Sequence, residues 1–124
     1  MPASVSMNAD VTVDNTPFSF SWSGSYSHVP VNRGMGSPVH YLTDTAENIT
    51  KGECQSPGVV ILHNITSIGG NTIYWGKNVG GNLEVLGYIP PGGFAVFQLY
   101  TGVQLMARAA SALGALLQPY FIEA

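Results

Sequence analysis

Between residues 18 and 28 the chain reads FSFSWSGSYSH, an alternation of large rings and serines. Successive strand side chains point to opposite faces, so a period of two assigns Phe18, Phe20, Trp22, Tyr26 and His28 to one surface and Ser19, Ser21, Ser23, Ser25 and Ser27 to its reverse. A second alternation precedes it: Val5, Met7, Ala9, Val11 and Val13 on odd positions, polar residues on even ones. The turn residues of DNTP, Asp14 to Pro17, predict that the two strands form an N-terminal hairpin over residues 1–28. VNRGMGSP reads as a loop and VHYLT, Val39 to Thr43, as a short strand. DTAENITKGECQSPG reads as a loop with room for one helical turn near Glu47.

From residue 59 strands become dense: VVILHNI, NTIYWG, LEVLGYI and FAVFQLY, separated by SIGG, NVGGN and PPGG, which is turn chemistry of antiparallel connections. The stretch from Val103 to Glu123 is ambiguous. Propensity offers a helix from Leu105 to Leu117, but only Arg108 and Ser111 interrupt it and no polar stripe results. Strand, turn, strand is the preferred reading, with Val103, Leu105, Ala107 and Ala109 inward and Pro119 at a sheet edge or bulge. The whole predicts an all-β, single-domain antiparallel β-sandwich of about eight strands over residues 1–124, its core within 59–122, with a jelly roll as one form it can take.

Charge changes the picture most. Asp, Glu, Lys and Arg make up 9% of the chain, against roughly 25% in ordinary domains. Ser, Thr and Asn total 27 residues against 11 charged ones, so the surface is wet but electrically quiet. Arg33, Lys51, Lys77 and Arg108 lie far apart, and no row of cations is available for phosphates, which argues against nucleic acid. Cys54 is alone, so no internal disulfide forms. Neither a secretory leader nor an apolar run of the roughly 18 residues a membrane span needs is visible, and the expectation is a soluble protein without membrane contact.

Candidate chemistry is sparse. His28, His40 and His63 share no ligand spacing, the carboxylates fall mostly in loops, and no nucleophile elbow or phosphate loop occurs. The sequence therefore predicts no enzyme, no metal and no cofactor. Asn48-Ile49-Thr50 and Asn64-Ile65-Thr66 match the N-glycosylation acceptor pattern, which a chain rich in Asn and Thr produces often. Tyr74, Trp75 and Tyr88, with Phe94, Phe97 and Tyr100, offer aromatic stacking surfaces for sugars; the plainer expectation is that alternate members of each strand point into the core.

From Val59 onward the order of a strand ending in Asn, a Gly/Asn turn, an aliphatic-aromatic strand, IPPGG, an aromatic-aliphatic strand and an Ala-rich hairpin near Gln104 to Leu117 resembles small β-sandwich structural proteins of tailed bacteriophage virions. The preceding ENITKGECQSPG shares the likeness, which covers about the last 75 residues. It implies a virion part, such as a capsid decoration protein or a neck or tail-attachment subunit, with copies of itself and proteins such as the major capsid protein as partners. A small, neutral serine face admits close approach of another polypeptide with few charges to desolvate. Ser19, Ser21, Ser23, Ser25 and Ser27 are accordingly the expected contact residues, with Arg33 and Met35 of the NRGMG loop as a second choice.

Overall fold

A computed structural model of the chain describes residues 3–12, 14, 15, 17, 19–28, 34–36, 39–51, 57–67, 69–100 and 102–123. Among them the regular structure is entirely β: β1 (Ala3–Thr12), β2 (Ser19–His28), β3 (Gly34–Gly36), β4 (His40–Leu42), β5 (Glu47–Asn48), β6 (Pro57–Asn64), β7 (Ile73–Val79), β8 (Asn82–Ile89), β9 (Phe94–Gln98), β10 (Leu105–Ala109) and β11 (Ala115–Glu123). The chain divides into two compact units, Met1–Val31 and Asn32–Glu123.

The first unit is the predicted hairpin. β1 and β2 pair antiparallel without interruption from Ala3 opposite His28 to Thr12 opposite Ser19. Directly opposed residues share a face. The register therefore sets Ser19, Ser21, Ser23, Ser25 and Ser27 against Thr12, Asp10, Asn8, Ser6 and Ser4, and sets the rings against Val11, Ala9 and Val5.

The second unit is a sandwich of two antiparallel sheets. One has the order β3-β11-β6-β9, with β4 also paired to β11; the other runs β5-β10-β7-β8. From β4 to β11 every connection crosses between sheets except the β7–β8 hairpin. With β3 and β4 counted as two pieces of one border strand, this is the eight-stranded jelly-roll order. Leu42, Val60, Leu62, Leu117 and Phe121 from the first sheet meet Ile73, Ile89, Leu105, Ala107 and Ala109 from the second to form the core. Trp75 of β7 stacks on Phe97 of β9, with centroids 4.7 Å apart and planes 3° from parallel, which adds an aromatic tie between the sheets.

A polar post reinforces that interior. Asn64 is fully buried. Its Nδ2 donates to Asn71 O at 3.0 Å and Ile89 O at 2.9 Å, and Thr66 N donates to its Oδ1 at 3.1 Å. Every hydrogen the amide carries is thus used, and the end of β6 is pinned to the end of β8 and the approach to β7.

Three expectations need correction. The helical turn near Glu47 is instead β5, held because Ile49 is buried and its N donates to Leu105 O at 2.9 Å. The loop containing Met35 includes the short strand β3, Gly34 to Gly36 paired with Ile122 to Tyr120. Pro119 stands in a central strand rather than at an edge. It pairs with Leu62 on one side. On the other side it falls in the break between β4, which pairs with 115–117, and β3, which pairs with 120–122, so no residue of either strand needs its missing donor. The ambiguous C-terminal stretch is strand, turn, strand, with Leu105, Ala107 and Ala109 buried.

A bulge shapes the second sheet. Between Trp75 and Gly76 the partner register steps from Gly87 to Val85. This brings the β8 backbone so close that a Cβ on residue 76 would lie 1.8 Å from Glu84 O, and only glycine fits.

Candidate functional site

The side chains that do not enter the core decide what the sandwich can touch. In β6 the inward residues are Val60, Leu62 and Asn64, so Ile61 and His63 point outward. In β9 Ala95 and Phe97 pack on the core and Phe94, Val96 and Gln98 point away. In β11 the outward set is Leu116, Gln118, Tyr120 and Ile122.

Register assembles these into rows across the sheet. Tyr120, Ile61 and Val96 form one row, and Gln118, His63 and Phe94 the next. Tyr41 and Leu116 begin a third, extended by Ile65, whose N donates to Leu116 O at 3.0 Å. Phe94 is 69% exposed, Tyr41 65%, Val96 43% and Tyr120 41%. A hollow of about 230 Å³ lies among Ile61, His63, Phe94 and Tyr120. A second, of about 460 Å³, lies beyond Tyr41, Ile65 and Leu116 towards Leu113. None of Asp44, Glu47, Lys51, Lys77, Glu84 and Arg108 takes a place in these rows. These rows therefore contain no Asp, Glu, Lys or Arg and are apolar apart from Gln118 and His63.

The outer face of the other sheet also exposes apolar groups, with Tyr88 68% and Val85 49% exposed, but it carries a cation. Arg108, Tyr74 and Tyr88 form a cross-strand row. The Arg108 guanidinium lies 4.7 Å from the Tyr74 ring centroid, a cation–π contact. On the opposite, core-facing side of this sheet, past the edge of the core, Lys77 stands level with Leu105 and forms an exposed ion pair with Glu84 at 3.6 Å. Asn78 Nδ2 donates to Asn48 Oδ1 at 2.9 Å and its Oδ1 receives Gly81 N at 2.7 Å.

The sequence-predicted contact residues distribute as follows. Ser19 and Ser21 are exposed, and Ser21 Oγ donates to Asp10 Oδ1 at 2.6 Å. Asp10 shares the serine row, so that row carries one carboxylate. The side chains of Ser23, Ser25 and Ser27 lie outside the described residues, and only their register is given. Phe20, on the ring side, is 51% exposed. Arg33 and Cys54 lie outside the described residues; Met35 is placed opposite Phe121, its side chain likewise undescribed.

Of the three residues considered for sugars, Trp75 has a face occupied by Phe97, whereas Tyr88 is exposed beside Tyr74. His63 stands on the outer face of the first sheet, and His40 takes Thr50 N on its Nε2 at 3.2 Å and holds its Nδ1 3.4 Å from Glu47 Oε1; the side chain of His28, in β2, lies outside the described residues. Among the described residues no three His, Cys, Asp or Glu side chains gather as a metal site would require. Asn64, one of the two glycosylation matches, is sealed in the core with both amide hydrogens donated, which leaves Asn48 as the exposed match. No helix among the described residues is long and apolar enough to cross a membrane.

Ile61, Phe94, Val96 and Tyr120 were missed as a surface, although the sequence carried a signal. An antiparallel strand with one wet face alternates apolar and polar, but PGVVILHN and FAVFQ are apolar at both parities, the pattern of strands covered on both faces. The chain matches no family model, and neither the curated proteins nor the solved structures include one significantly similar to it.

Proposed function

We propose that the chain is a non-enzymatic structural subunit of a tailed-bacteriophage virion, of the capsid decoration or neck and tail-attachment kind, acting through protein–protein contact. The observation that carries this reading is the outer face of the β3-β11-β6-β9 sheet, where rings and aliphatic side chains stand exposed in register with no charge between them. Water is a poor solvent for such a face, and interfaces deplete charge and enrich aromatics at their centres. The jelly-roll order is also one that capsid and lectin domains use. The serine row of β2 supplies a second surface of a different kind, hydrogen-bonding rather than apolar. Mass spectrometry of purified particles tests the reading. The chain is expected as a stoichiometric component, and Ser21→Lys with Ser23→Lys is expected to lower its incorporation without changing its far-ultraviolet circular dichroism. Absence from particles overturns the reading.

A second reading, carbohydrate binding or host adhesion, is favoured by one observation: Tyr88 stands exposed beside Tyr74 and Arg108, a flat aromatic step flanked by a donor. Glycan-array binding lost on Tyr88→Ala supports it, and an array without signal removes it.

A further inference from the structure

We infer that the apolar outer face of the β3-β11-β6-β9 sheet is covered by the same face of a second copy of this chain, two sandwiches stacked sheet to sheet. The inference rests on the assembly reading of that face and names its first partner.

Three observations select a copy over an unlike partner. The first is charge. In a twofold interface every residue meets the same set of residues on its twin, so a charged face opposes its own sign, whereas the rows through Leu116, His63 and Ile61 contain no Asp, Glu, Lys or Arg. The chain carries a net charge of -3, and none of it falls in these three rows, so two copies that meet through them do so without facing charge.

The second is area. With a fully exposed ring at about 200 Å² and the aliphatic side chains somewhat less, the exposed parts of Tyr41, Ile65, Phe94, Val96, Leu116 and Tyr120 come to roughly 500 Å². A standard interface covers about 800 Å² on each partner and homodimer interfaces are about 65% apolar, so the apolar share such a dimer needs is roughly 500 Å². The face supplies that share alone.

The third is relief. Phe94 projects, and a hollow of about 230 Å³ opens among Ile61, His63, Phe94 and Tyr120. Projection and hollow on one face are what self-complementarity requires, because each copy offers a ring and receives one. His63 and Gln118 in the middle row provide the few hydrogen-bonding groups that fix how the layers are turned.

Light scattering after size-exclusion chromatography of the full chain tests this. The expected mass is twice the 13.1 kDa of one chain, or an even multiple of it. Phe94→Lys and, separately, Val96→Lys are each expected to halve that mass with unchanged circular dichroism, because both positions are solvent-facing in the single chain. Leu86→Lys, on the edge strand of the other sheet, is the control and is expected to leave the mass unchanged. A wild-type chain that stays at 13.1 kDa at high concentration, or lysine variants that keep the wild-type mass, overturns the pairing. Particle incorporation separates the two levels. A monomer that still enters particles and needs Phe94 to do so overturns self-pairing and leaves the assembly role. A dimer that never enters particles overturns the assembly role and leaves the pairing.

Discussion

The two outer faces of the sandwich share one interior and differ in charge. Behind each lies the same core of Leu, Ile, Val and Ala positions, bound through Asn64 and the Trp75–Phe97 stack. In front, one sheet shows Tyr120, Ile61, Val96 and Phe94, and the other shows Arg108 against Tyr74 with exposed Tyr88 and Val85. Core packing cannot account for the difference, because outward residues leave the core unchanged. What separates the exteriors is therefore charge: the second carries the Arg108 cation beside exposed Tyr88 and Val85, and the rows of the first carry none.

The largest disturbance destroys the shared interior and with it both faces. Asn64→Ala leaves Asn71 O, Ile89 O and Thr66 N without their partner, and with a buried polar group costing about 1–3 kcal/mol when orphaned, a loss of about 3 kcal/mol is expected in urea unfolding. An unchanged midpoint contradicts the role given to this side chain.

Next, Gly76→Ala forces a methyl group to within 1.8 Å of Glu84 O unless the bulge relaxes. The expected cost is about 2 kcal/mol, confined to the second sheet. Hydrogen exchange should show β7–β8 amides losing protection while those of β6 and β11 keep theirs; uniform loss would mean that the bulge is not a local device.

Charge placed on the two exteriors sharpens the contrast at little cost in stability. Val96→Glu and Val85→Glu alter residues of similar exposure and are each expected within about 0.5 kcal/mol of wild type. Binding of a hydrophobic dye to chains held apart at low concentration should fall severalfold for Val96→Glu and hardly at all for Val85→Glu. Equal falls would erase the distinction between the faces.

The smallest effects come from the charged side chains of the second sheet. Arg108→Ala removes a partly exposed cation–π contact worth about 0.5 kcal/mol. Lys77→Ala removes an exposed ion pair, and a change below about 0.5 kcal/mol is expected, shrinking further in salt.

How much of this the sequence disclosed depended on the kind of pattern. The ribbon β1–β2 was legible as two paired strands, because strict alternation marks each of them. β6 to β9 were legible as strands, since Gly and Pro punctuated them. Their second apolar parity, carried by Ile61, Phe94 and Val96, also stood in the chain, but a run such as VVIL does not say which residues belong inside until pairing assigns a direction. β3 and β5 escaped because three residues and two residues hold no period; they exist only because β11 and β10 offer free backbone beside them. Pro119 was placed at an edge or bulge by a sound rule, and the fold meets that rule's physical demand by interrupting the neighbouring strand instead.

That interruption reaches further. A sheet border of two stubs laid end to end, three residues each, offers no long line of unmet amides for a foreign strand to zip onto. The border opposite it in the second sheet, β5, is shorter still, and β8 is kinked at its bulge. A molecule with so much bare apolar surface is thereby blunted at these rims, which works against the endless cross-strand growth of fibrils.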